Sequence, residues 1–313
     1  MSPGEMLEAY LFFLRHERGL AENSIRASMS VQRTWETWLR VHAFARNWMQ
    51  ATPEDLRNFL RDRAGLADQT VGVIRWHLKA LYGWLQREGH SVGNLALCLN
   101  IAARSPRPRN TRFIPTPTQV EKLLNLPSKT SVNGIQDRLM LELLYATGIR
   151  AMELLTMKIH GVWPSEKKAV VMGKGGKERI VVMNESAAQW LRLYVKVVHP
   201  LLLRRRRPAA IPLRGDQNLF PSTHRPGCLS YTSFKDRVKF YALQAELPLL
   251  TAHGLRHAFA THLYQGGADL RTIQILLCYT NTVTTTIYTQ ALTQHLHQVI
   301  EKHHPRGALY EGG

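Results

Sequence analysis

Nine consecutive residues without an apolar side chain divide the sequence into two parts. Residues 104–112 read Arg-Ser-Pro-Arg-Pro-Arg-Asn-Thr-Arg, with four arginines and two prolines. This composition is typical of an extended, charged connector that has nothing to bury in a core. We therefore predict a first domain over residues 1–103, a linker over 104–115 and a second domain over 116–313, since about two domains are expected for 313 residues.

Helical patterns dominate the first part. Thr52-Pro53 is followed by two acidic residues, which predicts a helix start: the hydroxyl caps free amides, the proline needs no N–H there and the acids oppose the dipole. Apolar side chains recur every three or four residues between Val71 and Leu85, and Gly89 marks the end of that helix. Two further helices are predicted over about 6–18 and 23–41, which together make a small helical bundle.

The second part begins with helices as well. Thr116-Pro117 is another cap-and-proline start, and helical spacing continues through residues 136–147. The pattern breaks at Gly148, and a new helical turn is predicted from about Arg150.

A hairpin interrupts these helices. Residues 169–172 and 179–183 are rich in β-branched side chains, and the segment Gly-Lys-Gly-Gly-Lys lies between them. Glycines permit the positive φ angles of a tight turn, so two short strands are predicted with Lys174 at their turn. The predicted fold class is therefore mainly α with a small β-sheet (α+β): a helical bundle followed by a mixed domain.

Positive charge is concentrated in the second part. The formal net charge is +18, from 41 Lys and Arg against 23 Asp and Glu; residues 104–313 hold 29 of these cations and 13 of these anions, a net of +16. Such a surface gains affinity by releasing counterions from nucleic-acid phosphates. A merely soluble basic protein is the alternative. The run at residues 204–207 is predicted to lie in a surface loop, either solvated or on phosphate.

Cysteine usage and the N-terminus bear on location. The three cysteines, Cys98, Cys228 and Cys278, are odd in number and show no CxxC spacing, which favours neither a disulfide framework nor a thiolate zinc site. The first residues do not resemble a secretory leader, and no stretch approaches ~18 uninterrupted apolar residues. We expect a cytoplasmic, nucleoid-associated protein without a membrane partner.

Six polar residues recur in an order that carries chemistry. An arginine follows Ala-Thr-Gly-Ile, a lysine lies in the Gly-rich turn, a His-Gly-Leu-Arg motif comes later, and two tyrosines nine residues apart follow it. These residues are Arg150, Lys174, His253, Arg256, Tyr279 and Tyr288. Their types, order and neighbours resemble the tyrosine recombinase (phage integrase, Xer-type) family over residues 150–288.

The resemblance implies a division of labour in attack on a phosphodiester. Arg150 and Arg256 would clamp the scissile phosphate, because guanidinium groups are always charged and meet phosphate oxygens with paired donors. Lys174 would protonate the departing 5′-oxygen, and His253 would exchange a proton with the Tyr288 phenol, whose unperturbed pKa is ~10. The product is a 3′-phosphotyrosine, formed without metal, ATP or another cofactor.

Two positions depart from the family pattern. Tyr279 stands where His or Trp is usual, and Cys278 replaces the usual preceding glycine. A phenol can still donate a hydrogen bond to a phosphate oxygen, but it is also a rival nucleophile. The Thr-Thr-Ile-Tyr setting favours Tyr288 as the nucleophile.

Neighbouring residues receive supporting roles. We expect Glu153, one turn after Arg150, to orient that arginine. His257 and His262 match family positions and are expected to support the fold. His253 and His257 are also four residues apart and could bind zinc from one helix face, although Gly254 stands where a zinc protease has glutamate.

Three other functions stay open on the sequence alone. They are a zinc hydrolase, a recombinase-like protein that binds DNA without strand transfer, and a type IB topoisomerase of the same chemistry.

The resemblance also implies how DNA is held. The expectation is a C-shaped clamp on double-stranded DNA with paired inverted half-sites, acting as a homotetramer on two synapsed sites, with or without a second recombinase or accessory protein. Integration, resolution and inversion are equally compatible. Phosphate contacts are predicted for eight arginines: Arg104, Arg107, Arg109, Arg112, Arg204, Arg205, Arg206 and Arg207.

A last helix is predicted after the nucleophile. Leu292, Leu296, Val299 and Ile300 have helical spacing. They would dock either on a neighbouring subunit or on their own domain.

Overall fold

A computed structural model describes residues 2–43, 46–90, 95, 99, 113–173, 176–205, 217–277 and 290–307. The chain divides into two compact units, Met1–Arg109 and Asn110–Gly313. Within the described ranges, no helix is long and apolar enough to cross a bilayer.

The first unit is a helical bundle around an aromatic core. Its helices within the described residues are α1 (Pro3–Phe12), which continues into a π-helical turn (Phe13–Glu17), α2 (Glu22–His42), α3 (Pro53–Arg61) and α4 (Asp68–Arg87). The predicted start at Thr52 is confirmed, because its hydroxyl accepts the Asp55 amide at 3.2 Å and its own amide donates to Asp55 at 2.8 Å. In the core, the buried Trp35 indole donates to the Tyr82 hydroxyl at 2.7 Å.

The second unit is mainly helical with one small sheet, as predicted. The α-helices in its described part are α5 (Pro117–Asn125), α6 (Val132–Thr147), α7 (Ala151–Leu155), α8 (Glu185–Leu193), α9 (His199–Arg204), α10 (Tyr231–Gln244), α11 (Ala252–Gln265), α12 (Leu270–Leu277) and α13 (Gln290–His303). Helix α6 is the centre of this unit, since every residue from Gly134 to Thr147 is buried. The predicted break follows it, with Gly148 in the left-handed region at φ 61°.

The predicted hairpin is present; its first strand begins one residue earlier than predicted, and its second strand begins and ends one residue earlier. Strands β2 (Lys168–Met172) and β3 (Glu178–Val182) pair antiparallel, and the Gly173 amide donates to the Lys177 carbonyl at 2.7 Å to close the turn. A two-residue strand, β1 (Val162–Trp163), adds to β2. Its shortness explains why the sequence showed no alternation there.

The arginine run departs from the prediction of a loop. Arg204 is the last residue of α9 and Arg205 caps that helix; both are exposed. The leucines before them support a helix, and cations at its C-terminus face the negative end of the dipole. Arg206 and Arg207 lie outside the described residues.

Helix α13 packs on its own unit. Leu296, Val299 and Ile300 are buried in the core of the second unit, and Leu292 is partly buried against that core. This arrangement corresponds to the second of the two dockings that the sequence left open.

Candidate active site

The turn at the end of α6 presents Arg150. Gly148 approaches its neighbours so closely that an added Cβ would lie 2.4 Å from Cδ1 of Phe259. Glycine is therefore required at this position for two reasons: the backbone has a positive φ, and no room is left for a side chain. Arg150 then caps α7, and its side chain stays half-exposed. The tightly packed Gly148 thus places the charged side chain of Arg150 at the surface.

Glu153 orients this arginine, as the sequence predicted. Its carboxylate is almost fully buried and accepts both the Arg150 amide, at 2.8 Å, and Nη1 of Arg150, at 2.9 Å. The same carboxylate accepts Nη2 of Arg179 at 2.8 Å. The Arg150 guanidinium is therefore fixed from one side by a buried anion.

Arg256 joins three elements beneath that turn. It lies on α11 with only 2% of its surface exposed. Its Nη1 donates to the carbonyl of Gly148, and its Nη2 donates to the carbonyl of Leu277 at 2.8 Å. The first bond fixes α11 to the Arg150 turn, and the second fixes it to the end of α12. Arg150 and Arg256, which are 106 positions apart in the sequence, are thus brought to one place.

His253 occupies the first turn of α11, one turn before Arg256. The helix starts at Thr251, whose hydroxyl accepts the Gly254 amide at 3.0 Å. His253 is exposed, and its ring lies 4.4 Å from the ring of His257 in an edge-to-face arrangement. Among the described residues, no group of three His, Cys, Asp or Glu side chains is placed to bind a metal.

His262 supports the fold from the same helix. It is buried, and its Nδ1 lies 2.8 Å from the Tyr145 hydroxyl on α6. Burial lowers the pKa of His262 and raises that of Tyr145. Both groups are therefore neutral near pH 7, and they link the helix carrying His253 and Arg256 to the helix that ends at the Arg150 turn.

The chain after α13 returns to α6 and completes this buried network. Nε2 of His304 lies 3.1 Å from the Tyr145 carbonyl, and burial lowers the pKa of His304 to about 3. Arg306 lies 3.2 Å from the carboxylate of Glu142, which is fully buried. Sequence patterns did not predict this return, because His304 and Arg306 follow the last helix without any periodicity.

Several predicted site residues belong to the ranges that the structure does not describe. Lys174, Tyr279 and Tyr288 lie outside the described residues, as do all four linker arginines. The described chain stops at Leu277, whose carbonyl Arg256 holds, and resumes at α13. The structure therefore brings Arg150, Glu153, His253 and Arg256 into one region and leaves the tyrosines as predictions.

Family comparisons match both parts of the chain. Residues 115–295 match the phage integrase family, and residues 7–89 match the phage integrase N-terminal SAM-like domain. Tyrosine recombinase XerD of Haemophilus influenzae is 35% identical over 296 residues, which covers 93% of this chain and 95% of the relative. The corresponding Yersinia pestis protein is 34% identical over 306 residues, with 96% and 97% covered.

Solved structures share the fold. A lambda integrase fragment, determined as a dimer bound to a core site, superposes with a TM-score of 0.65 at 18% identity, covering 93% of this chain and 98% of that one. The recombinase XerH, bound to its difH substrate, gives a TM-score of 0.61 at 21% identity, covering 95% and 84%. The comparisons favour a recombinase over a topoisomerase or a DNA-binding protein without strand transfer.

Proposed function

The chain belongs to the phage integrase family and is a site-specific tyrosine recombinase; on that premise we propose that Tyr288 attacks DNA and becomes joined to a 3′ phosphate. The observation that supports this most is the bond from Arg256 to the Gly148 carbonyl, two residues before Arg150. It links the two arginines that the mechanism needs, although they lie on different elements.

Arg150 and Arg256 are proposed to hold the scissile phosphate. Attack gathers negative charge on the non-bridging oxygens, and donors fixed in advance stabilise that charge without reorganising. Glu153 fixes the Arg150 guanidinium by an ion pair at 2.9 Å, and two main-chain carbonyls fix Arg256. Both clamps are therefore held by the protein before DNA binds.

Proton transfers fall to Lys174 and His253 in this proposal. In the sequence Lys174 follows Gly173, between the strands β2 and β3, and we propose that it gives a proton to the 5′-oxygen as it leaves. His253, exposed on the first turn of α11, would exchange a proton with the Tyr288 hydroxyl. Tyr279 would donate a hydrogen bond to a phosphate oxygen.

Covalent attachment conserves the energy of the broken bond. Tyr288 oxygen bonds to phosphorus as the phosphorus–5′-oxygen bond breaks, and the freed 5′-hydroxyl of a partner strand later reverses the step. One phosphodiester is exchanged for another of similar energy, so the proposed reaction consumes no ATP and assigns no step to a metal.

DNA is the partner that this chemistry requires, and the net charge of +16 over residues 104–313 is suited to it. We propose paired inverted half-sites bound by a homotetramer, and phosphate contacts from the eight arginines of the linker and of residues 204–207. Because the proposed substrate is DNA, we propose that the protein acts at the nucleoid in the cytoplasm. We also propose that a mobile element encodes it.

A DNA–protein adduct assay tests the reaction class. The full chain is incubated with end-labelled DNA from the replicon that encodes it, with excess EDTA and no ATP, and is then denatured in detergent. We expect a labelled adduct that protease removes. Cleavage that EDTA abolishes, with no adduct, would instead identify a metal-dependent hydrolase acting through His253 and His257.

A further inference from the structure

A buried carboxylate connects strand β3 of the hairpin to Arg150. Glu153 accepts Nη1 of Arg150 at 2.9 Å and Nη2 of Arg179 at 2.8 Å. Only 5% of the Glu153 side chain and 8% of the Arg179 side chain are exposed, whereas 49% of Arg150 is. Two of the three charges therefore lie inside the protein, and only Arg150 reaches solvent.

Arg179 belongs to strand β3, and in the sequence Lys174 comes between the end of β2 and the start of β3. Arg179 pairs with Val171 in the β2–β3 register and follows the turn closed by Gly173 and Lys177. Its side chain lies on the buried face of β3 together with that of Val181. A charged side chain therefore occupies a position where an apolar one is usual. Burying such a charge destabilises the folded state unless an ion of opposite charge compensates for its desolvation.

The ion pair of Arg179 joins two different elements of the second unit. Its partner Glu153 lies on α7, outside the sheet, so the ion pair fixes the hairpin laterally to the Arg150 turn. Its Nη1 is also buried and has no hydrogen-bond partner among the described residues. A side chain this enclosed contacts other protein groups rather than solvent, and its influence on a reaction must pass through them.

We infer that Arg179 is a positioning residue that fixes the hairpin to Glu153 and thereby holds Lys174 at the leaving 5′-oxygen. The inference deepens the proposed function and rests on it. Arg150 keeps its own two hydrogen bonds to Glu153 when Arg179 is replaced. The replacement should therefore impair proton donation by Lys174 and not the phosphate clamp. Misplacement of a catalytic group by ~1 Å can slow a reaction ~10²-fold.

A change of leaving group separates this role from a structural one. DNA with sulfur in place of the bridging 5′-oxygen loses a thiolate, whose conjugate acid has a pKa of ~8.5 and leaves without a donated proton. The Tyr288 oxygen–phosphorus bond forms and the phosphorus–sulfur bond breaks. The proton from Lys174 is no longer required, while the phosphate clamp still is.

The experiment compares single-turnover cleavage of the oxygen and sulfur substrates at the site mapped for the wild-type chain. For Arg179→Met we expect cleavage about 10- to 100-fold slower than wild type on the oxygen substrate. The rate on the sulfur substrate should lie within about threefold of wild type, with DNA affinity unchanged. Lys174→Ala should show the same rescue, and Arg150→Ala should be slow on both substrates.

Two results would overturn the inference: Arg179→Met as fast as wild type on oxygen, or equally slow on both substrates. If Arg179→Met does not fold, Arg179→Lys decides by the same ratio, because it keeps the charge but shortens the reach to Glu153. Failure of the proposed function is distinct, since the wild-type chain would then form no adduct with either DNA.

Discussion

The Arg256 guanidinium donates to the main-chain carbonyl of Gly148, two residues before Arg150. One side chain thus holds the turn that presents the other arginine, and its second bond reaches Leu277 at the end of α12. These two hydrogen bonds explain why Arg256 is almost fully buried although a phosphate is its predicted ligand. Two protein contacts therefore fix the position of Arg256, and its action on phosphate is the role that we propose for it.

Arg256→Met should affect both stability and cleavage. The variant takes the arginine donor away from two buried main-chain carbonyls, and each loss costs about 1–3 kcal/mol. It also removes one of the two proposed phosphate clamps, so adduct formation should fall by about 10²-fold or more. Urea unfolding and single-turnover cleavage measure the two effects.

A matched control is Arg237→Met, which removes another arginine's bonds to α6, at 2.7 Å to Asp137 and 2.9 Å to Gln136. It should lower stability while leaving cleavage per folded molecule unchanged. Equal cleavage defects in the two variants would contradict the account of Arg256.

Gly148→Ala should destabilise the second unit by about 2–5 kcal/mol, from a strained positive φ and an overpacked contact together. The added Cβ would meet Phe259 at 2.4 Å and Leu277 at 2.8 Å. Gly227→Ala is the control, because Gly227 has a φ of 99° with nothing within 4 Å of its Cβ position. It carries the φ strain alone and should cost about 1–3 kcal/mol. Equal losses in chemical denaturation would show that the contact with Phe259 is not restrictive.

His304 should make stability fall in mild acid. Burial lowers the pKa of His304 to about 3 in the folded protein, against ~6.5 when unfolded. Between these values only the unfolded chain takes up the proton, so the free energy of unfolding falls as the pH drops below ~6.5. Nearby His262, whose pKa burial also lowers, acts in the same direction.

His304→Gln removes this titration. Between pH 7 and pH 5 the wild-type chain should lose about 2 kcal/mol more unfolding free energy than the variant. Urea unfolding at the two pH values measures the difference. Parallel pH dependences would mean that His304 takes up its proton while folded.

Ile300→Ala tests where α13 docks. Ile300 is fully buried in the core of its own unit, so the truncation should lower the free energy of unfolding of a monomer by about 2–5 kcal/mol. Gln294→Ala, exposed on the same helix, should change it by less than about 0.5 kcal/mol. If the helix docks on a neighbouring subunit instead, the effect of Ile300→Ala will depend on protein concentration.

Local signals account for what the sequence predicted correctly. The caps at Thr52 and Thr116, the stop at Gly148 and the glycine-rich turn all act within a few residues. Glu153 was predictable as an orienting group because it lies one turn from Arg150. These features need no knowledge of the tertiary fold.

Long-range partners account for what it missed. Arg179 opens a β-prone run, and alternation with Val181 would have placed it on the buried face. Its partner Glu153 is 26 residues earlier, and no periodicity connects them. Likewise, nothing local shows that His304 returns to Tyr145 across 159 positions. Arg204 was expected in a loop because the charge run outweighed the leucines that make it helical.

The central claim is that Tyr288 attacks DNA at a specific site, and mapping covalent adducts on the replicon that encodes the chain tests it most directly. Adducts are captured from the wild-type chain and from Tyr288→Phe and Tyr279→Phe, and both the DNA end and the attached peptide are sequenced. We predict one recurrent site, a 3′ phosphate and a Tyr288 peptide, with the adduct lost in Tyr288→Phe and retained in Tyr279→Phe. An undiminished adduct in Tyr288→Phe, or attachment through Tyr279, would contradict the account.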